Sequence, residues 1–230
     1  MTHSAELILV RHAPADHGGC LVGRTDVPVA DLSAAAGVGA MIHGLLAGRC
    51  VQAVRWVHSP ALRCRQTAQA LAPDAPWQSD ARLWEQDFGA EDGMRFDQLP
   101  DLGLMSTQAL AARVPPARAG GGSGGCSGGC AGGRQAESFD AMAGRVAGAL
   151  HDYSRTPSHP PSQTSGQTLG PTVIVAHAGT VRAGIGHALG QPALGLRFDV
   201  RPLSLTRVLA HPAGWAVMSA NVGPFERSPE

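Results

Sequence analysis

Residues 172–176 read TVIVA and are followed directly by His177. An uninterrupted apolar run of this length is typical of a strand that is buried on both faces of a sheet. The run from Glu6 to Val10, ELILV, has the same character and ends at Arg11 and His12. The two runs predict two buried strands, each ending at a histidine.

Further segments alternate between strand-like and helix-like patterns along the chain. The pattern predicts helices over Leu32–Leu46, over Ala61–Leu71 and from about Thr180 to Leu189. Ser33 is a possible N-cap of the first of these helices, and Ser59 and Pro60 start the second. The pattern also predicts a strand over Ala53–His58 and a late pair of strands over Ser204–Ala210 and Ala216–Ala220. Strands that alternate with helices favour a parallel sheet covered on both faces. We therefore expect a three-layer α/β/α fold with a mostly parallel central sheet.

The length of 230 residues fits a single domain that carries a small inserted cap. We place this cap region at about residues 86–170, with one convincing helix at Ser138–His151. Residues 119–133 are rich in Gly, and residues 154–171 are rich in Ser, Thr, Pro and Gln. These compositions predict that both stretches are mobile.

The composition excludes several classes of protein. Eighteen basic and eighteen acidic residues cancel, so the net charge favours neither a nucleic acid nor a membrane surface as partner. All the basic residues are Arg, whereas a Walker-type phosphate loop and a pyridoxal phosphate enzyme each need Lys. The five cysteines form no disulfide framework or zinc motif, and no apolar run is long enough to span a membrane. We expect a cytoplasmic protein without a metal or other cofactor.

Candidate functional residues gather where the predicted strands end, which is where parallel sheets bind ligands. His12 can act as a nucleophile if one ring nitrogen is unprotonated and the other is fixed by a hydrogen bond. Arg11 and Arg63 offer guanidinium groups that match phosphate oxygens, and His177 can donate to a phosphoryl oxygen. These residue types together indicate phosphoryl transfer.

Three segments carry a resemblance to a known family: LILVRHA at 7–13, HSPALRCRQTAQAL at 58–71 and VIVAHAGTVRA at 173–183. They resemble the signature segments of the histidine phosphatase, or phosphoglycerate mutase-like, superfamily. The resemblance implies that His12 is the phosphorylated nucleophile and that Arg11, Arg63 and His177 complete the phosphate pocket. The segment RLWEQDFG at 82–89 is similar to the one that holds the family's proton donor, which assigns that role to Glu85.

The segment GRTDVP at 23–28 is most similar to the α-ribazole phosphatase branch of this superfamily. This similarity implies a small phosphorylated metabolite as substrate, with Gly23 and Arg24 among its contacts. The chain departs from the usual signature at Ala13 and Pro14, which follow the nucleophile, and this departure concerns substrate contacts more than the phosphate pocket.

Two alternative functions remain open from the sequence. A phosphoglycerate mutase would use the same phosphohistidine but return the phosphate to its product. A phospho-ligand sensor would bind in the same pocket without turnover, although two histidines and an acid candidate count against it. A homodimer is possible.

Overall fold

The computed structural model describes residues 4–48, 53–103, 105–118, 136–155 and 170–224. Its strands are β1 (Ala5–Arg11), β2 (Arg55–His58), β3 (Gln78–Ser79), β4 (Thr172–Ala176), β5 (Leu205–His211) and β6 (Gly214–Val222). They form one six-stranded sheet in the order β3-β2-β4-β1-β5-β6. The pairs β3–β2, β2–β4 and β4–β1 are parallel, whereas β5 and β6 add an antiparallel hairpin at one edge.

Helices cover both faces of this sheet. They are α1 (Ala35–Leu45), α2 (Leu62–Leu71), α3 (Thr107–Ala112), α4 (Phe139–Arg155) and α5 (Ala178–Ala188). Side chains of α1 and α2 pack into one apolar core, and side chains of α4 and α5 pack into another on the opposite face. The expected three-layer α/β fold with a mostly parallel sheet is confirmed.

Strand β1 is apolar along its centre because it is buried between the two helical layers. Its side chains alternate between the two cores, so that Leu7 and Leu9 join the core beneath α4 and α5. Ile8 and Val10 join the core beneath α1 and α2. All four side chains are fully buried. Because successive residues of a strand point to opposite faces, the central positions of a strand between two helical layers all require apolar side chains.

Three local predictions differ from the structure. Ser33 does not cap α1, because its amide and hydroxyl both bind the carboxylate of Asp31. Ser59 does not cap α2, whose N-cap is Ala61, and its hydroxyl instead lies 2.8 Å from His177. Helix α4 packs against β1 and α5 in the main core, so it does not belong to the predicted cap region.

The first predicted mobile segment, 119–133, lies outside the described residues, as do residues 156–169 of the second. Cys64 is a free, buried thiol, whereas Cys20 is disulfide-bonded, which the cysteine spacing did not predict. Among the described residues no helix has the length and apolar character to cross a membrane.

Gly195 allows the 3₁₀ turn Pro192–Arg197 to pack closely on α5, because a Cβ at this position would overlap the carbonyl oxygen of Arg182. We expect Gly195→Ala to lower the free energy of unfolding by about 1–3 kcal/mol, since backbone atoms must move to relieve the overlap. Gly144 is the matched control, because it lies exposed within α4 with open space around it. Gly144→Ala should raise stability by up to about 1 kcal/mol in urea denaturation. Equal effects of the two substitutions would contradict this account of the packing.

Candidate active site

His12 follows the last residue of β1, at the edge where the parallel strands end. Its amide donates to the carbonyl of Ala176 at the end of β4, with a distance of 2.8 Å. Its ring is buried, and Nδ1 donates to the carbonyl of Ala13 at 2.6 Å, because a carbonyl oxygen can only accept. The proton therefore resides on Nδ1. Nε2 keeps the lone pair that a nucleophile requires.

The surroundings of His12 keep its ring neutral. Burial, together with the positive charge of Arg63, lowers the pKa of His12 to about 3, although the hydrogen bond to Ala13 acts in the opposite direction. A neutral imidazole is the reactive form, since protonation would occupy the attacking nitrogen.

Thr67 of α2 connects the nucleophile to the helix beside it. Its hydroxyl accepts from the amide of Ala13 at 2.9 Å and donates to the carbonyl of Arg63 at 2.7 Å. Thr67 is fully buried, so the bond has no competition from water. The helix thereby fixes the main chain that orients the ring of His12.

Arg63 lies in the first turn of α2 and is fully buried. Its guanidinium donates to the carbonyls of Thr25 and Gly23, at 3.1 and 2.9 Å, and to Nδ1 of His177 at 3.1 Å. Arg11 is held in a similar way, by a 2.5 Å bond from Nη1 to the carbonyl of Val200. Main-chain carbonyls therefore fix both guanidinium groups without neutralising their charge.

Both arginines also retain a donor without a partner. The Nε atoms of Arg11 and Arg63 are buried and have no acceptor among the described residues. A buried donor left unsatisfied costs about 1–3 kcal/mol, more when it is charged, so folded proteins rarely retain one without a reason. The positive charges of Arg11 and Arg63 both act on His12, so this end of the sheet favours an anion, and phosphate oxygens match guanidinium geometry.

His177 begins the turn into α5 and is fully buried. Its Nδ1 accepts from Arg63, which requires its Nε2 to carry the proton and donate to the hydroxyl of Ser59 at 2.8 Å. Its ring lies edge-on to that of His12, with 5.3 Å between centroids, and stacks on Trp84. Burial and the charge of Arg63 lower the pKa of His177 well below its usual value.

Glu85 presents its carboxylate at the N-terminus of α5. One oxygen accepts from the amide of Gly179 at 3.1 Å and the other from the amide of Gln86 at 3.0 Å. The free N–H groups of a helix N-terminus supply donors for such an oxygen. A Cβ at position 179 would overlap the present position of the Glu85 carboxyl group, so Gly179 permits this close approach.

Arg145 of α4 fixes the main chain that carries Glu85. Its guanidinium donates to the carbonyls of Arg82 and Trp84, both at 2.7 Å, and to that of Glu85 at 3.0 Å. The carboxylate of Glu137 pairs with the same guanidinium at 2.5 Å. A single side chain thus spans four consecutive residues of the acid-bearing segment.

A cavity of about 580 Å³ opens onto these groups, which is within the usual range for a small-molecule site. Its polar and charged lining comprises Arg11, His12, His17, Glu85, Gln86, Glu91, Arg113 and Arg182. The remaining wall is largely apolar and includes Leu21, Val22, Phe88, Phe96, Leu99, Leu102, Leu110, Phe139 and Leu196. An imidazole, a guanidinium and a carboxylate from three separate segments therefore line one cavity, which also has a large apolar surface.

Some of the predicted site residues line the cavity, and others are buried beside it. Arg63 and His177 are not part of the cavity wall but contact each other within the buried layer beside His12. Gly23 and Arg24 also lie off the wall: Arg24 pairs with Glu137 at 3.2 Å and lies over the Trp84 ring. The sequence-based roles of Gly23 and Arg24 as substrate contacts therefore stay predictions.

Sequence reasoning missed Arg145, Glu137, Asp92 and Arg182. The first three act on main-chain groups far away in the sequence, and no motif marks such a contact. Arg182 stands within the quoted segment VIVAHAGTVRA, one helical turn after Ala178. The i, i+4 spacing places Ala178 and Arg182 on one face of the helix, both line the cavity, and that signal was available in the sequence.

The lowered pKa of His12 predicts how stability depends on pH. The unfolded chain binds a proton at His12 near pH 6.5 but the folded chain only near pH 3, so stability should fall as the pH drops through this window. For one histidine the slope is at most about 1.4 kcal/mol per pH unit. His12→Asn should flatten the dependence measured by urea denaturation, whereas His43→Asn, at an exposed position of α1, should not. Parallel curves for wild type and His12→Asn would contradict the buried neutral ring.

Comparison with known proteins gives three structural relatives of similar size. The first is a candidate alpha-ribazole-5′-P phosphatase from Escherichia coli, with 18% identity, a TM-score of 0.66 and coverage of 95% of this chain and 96% of that one. The second is phosphoserine phosphatase from Entamoeba histolytica, with 20% identity, a TM-score of 0.67 and coverage of 94% and 96%. The third is mycobacterial glucosyl-3-phosphoglycerate phosphatase, with 19% identity, a TM-score of 0.66 and coverage of 96% and 100%.

These structures share the fold at low sequence identity. A search of curated proteins finds no match. The family model described as histidine phosphatase superfamily (branch 1) matches residues 7–223, which is nearly the whole chain. With the strand-end histidines and buried arginines described above, this match shows that the chain belongs to the histidine phosphatase superfamily.

Proposed function

We propose that the protein is a metal-independent phosphatase that hydrolyses a small phosphomonoester through a phosphohistidine on His12. The observation that carries this proposal is the fixed tautomer of His12 beside two buried guanidinium groups. The ring presents Nε2 as a lone pair, while Arg11 on the cavity wall and Arg63, buried off the wall, supply guanidinium charge that suits a phosphoryl group.

The first chemical step forms the phosphohistidine. Nε2 of His12 attacks phosphorus, the bond between phosphorus and the ester oxygen breaks, and the leaving oxygen takes a proton from Glu85. The guanidinium groups stabilise charge on the equatorial oxygens, since phosphoryl transfer depends mainly on positioning and electrostatics. The pocket then holds the free alcohol and His12 phosphorylated on Nε2, whose ring keeps the Nδ1 proton and is formally cationic.

The second step returns the enzyme to its starting form. Glu85, now a carboxylate, takes a proton from water, and the resulting hydroxide oxygen bonds to phosphorus while the phosphorus–nitrogen bond breaks. The products are inorganic phosphate and His12 with its lone pair restored. One carboxylate thus acts first as an acid and then as a base.

The finer proposal concerns the substrate, for which we favour α-ribazole 5′-phosphate, with α-ribazole as the leaving group. Much of the cavity wall consists of Leu and Phe side chains, so burial of an aromatic base there would release water from apolar surface on both partners. The GRTDVP segment and the name of the Escherichia coli relative support the same choice. Phosphoglycerate and phosphoserine carry no aromatic group that could use this apolar surface.

We expect Glu85→Gln to slow turnover by about 10²–10⁴-fold, because the amide keeps the shape but transfers no proton. With p-nitrophenyl phosphate, whose leaving group needs little protonation, the variant should give a burst of nitrophenol and accumulate acid-labile, base-stable phosphate on His12. An alkyl phosphate should give no burst. Glu6→Gln, at the far end of β1 where Glu6 pairs with Arg207, is the control and should keep wild-type rates. If both esters slow equally and no phosphoenzyme forms, Glu85 is not the proton donor.

A substrate panel tests the function and the leaving group together. With excess chelator present, we expect phosphate release from α-ribazole 5′-phosphate, with kcat/KM about tenfold or more above that for phosphoserine or 3-phosphoglycerate, as burial of an aromatic group implies. Loss of activity on metal removal, restored by adding metal, would overturn the metal-independent mechanism. Conversion of 3-phosphoglycerate to its isomer would support a mutase instead. Phosphate binding without turnover of any ester would support a sensor.

A further inference from the structure

Asp92 holds a loop that contains none of the catalytic groups. Its side chain is completely buried, at 0% exposure, and follows a 3₁₀ turn at Gly89–Glu91. One oxygen accepts from the amide of Gly23 at 3.0 Å, and the other accepts from the amides of Arg24 and Thr25, at 2.8 and 3.1 Å. Three consecutive N–H groups thus converge on one buried carboxylate.

The same peptide groups have their carbonyls directed at Arg63. The peptide group between Val22 and Gly23 contains the Gly23 amide, which donates to Asp92, and the Val22 carbonyl. This carbonyl accepts a hydrogen bond from Nη2 of Arg63 at 3.5 Å. In the next peptide group, the Arg24 amide donates to Asp92, and the Gly23 carbonyl accepts from the same Nη2 of Arg63 at 2.9 Å. Two peptide dipoles therefore lie between a carboxylate and a guanidinium, each oriented favourably toward both.

This arrangement matters because Arg63 makes no ion pair with a carboxylate in the described part of the chain. A carboxylate placed against Arg63 would fix the side chain but would also compete with a phosphate for it. Carbonyl groups fix the guanidinium and leave its charge available. The negative charge that orients those carbonyls stays one peptide away, on Asp92.

We propose that Asp92 is a positioning residue for the phosphate site: through the peptides of residues 22–25 it sets the orientation of the Arg63 guanidinium and hence the affinity for the phosphoryl group. The inference rests on the proposed phosphate site at His12. The competing explanation is that Asp92 only fastens the segment after Glu85 to the core.

A double-mutant cycle separates the two explanations. The variants are Asp92→Asn, Arg63→Gln and the double variant, and the probe is inorganic phosphate, titrated by calorimetry against each folded protein. Asp92→Asn should weaken phosphate binding about ten- to a hundredfold when Arg63 is present, the value of a charge-assisted hydrogen bond. In the Arg63→Gln background it should change affinity less than about twofold. An equal loss in both backgrounds would overturn the proposal.

Asp80→Asn is the matched control for stability, because Asp80 accepts from Arg82 and from the hydroxyl of Tyr153 at 2.6 Å, away from residues 22–25. It should lower the melting temperature without changing phosphate affinity. If Asp92→Asn does not fold, Asp92→Glu is used in the same cycle, since it keeps the charge but displaces the loop. Unchanged phosphate affinity in every folded Asp92 variant would overturn the proposal.

A second measurement does not depend on turnover or on phosphate. In protein labelled with ¹⁵N-arginine, the Nε–H signal of Arg63 is identified by its loss in Arg63→Gln. We expect slow exchange of this proton with solvent in the wild type and exchange at least about tenfold faster in folded Asp92→Asn, because an unheld guanidinium samples open conformations. Equal exchange rates would overturn the proposal. If the wild-type protein shows slow exchange but hydrolyses no ester, the proposed phosphatase activity is refuted, whereas the positioning role of Asp92 is not.

Discussion

A guanidinium that is completely buried, with no carboxylate partner among the described residues, is the constraint around which this site is built. Removing such a charge from water is costly unless hydrogen bonds replace those it loses. Here the replacement comes from carbonyls of Gly23 and Thr25 and from Nδ1 of His177. Burial lowers the pKa of both His12 and His177, and the positive charge of Arg63 lowers both values further. Burial and one buried cation therefore act together to keep both rings neutral.

Around this centre, charged side chains bind main-chain groups as well as one another. Asp92 collects amides of the loop after Val22, and Arg145 collects carbonyls of the segment before Gln86. Glu137 joins the second cluster to Arg24. These clusters hold irregular segments rigid. A site that is built on loops needs such support, because its side chains otherwise lose their relative geometry.

The sequence predicted most of the framework because the buried strands β1 and β4 leave a simple signal, a run of apolar residues that ends shortly before a histidine. His12, Arg63, Glu85 and His177 stood out because they follow such strands or stand in recognisable segments, and their functional roles stay predictions. Side-chain contacts with distant main-chain groups, such as those of Arg145 and Asp92, leave no periodic pattern. Ser59 was misread for the same reason, since its hydroxyl has two possible partners and only the fold selects His177 over the helix amide.

The position of β4 has a consequence for biosynthesis. This strand, encoded after residue 170, lies between β1 and β2, and its carbonyls receive the amides of both His12 and Ser59. Until it leaves the ribosome, the two earlier strands have no common neighbour, and His12 and Arg63 have no shared framework to hold them together. A nascent chain therefore carries His12 for most of translation without the strand that receives its amide, and the last quarter of the polypeptide completes the framework around the proposed phosphate site.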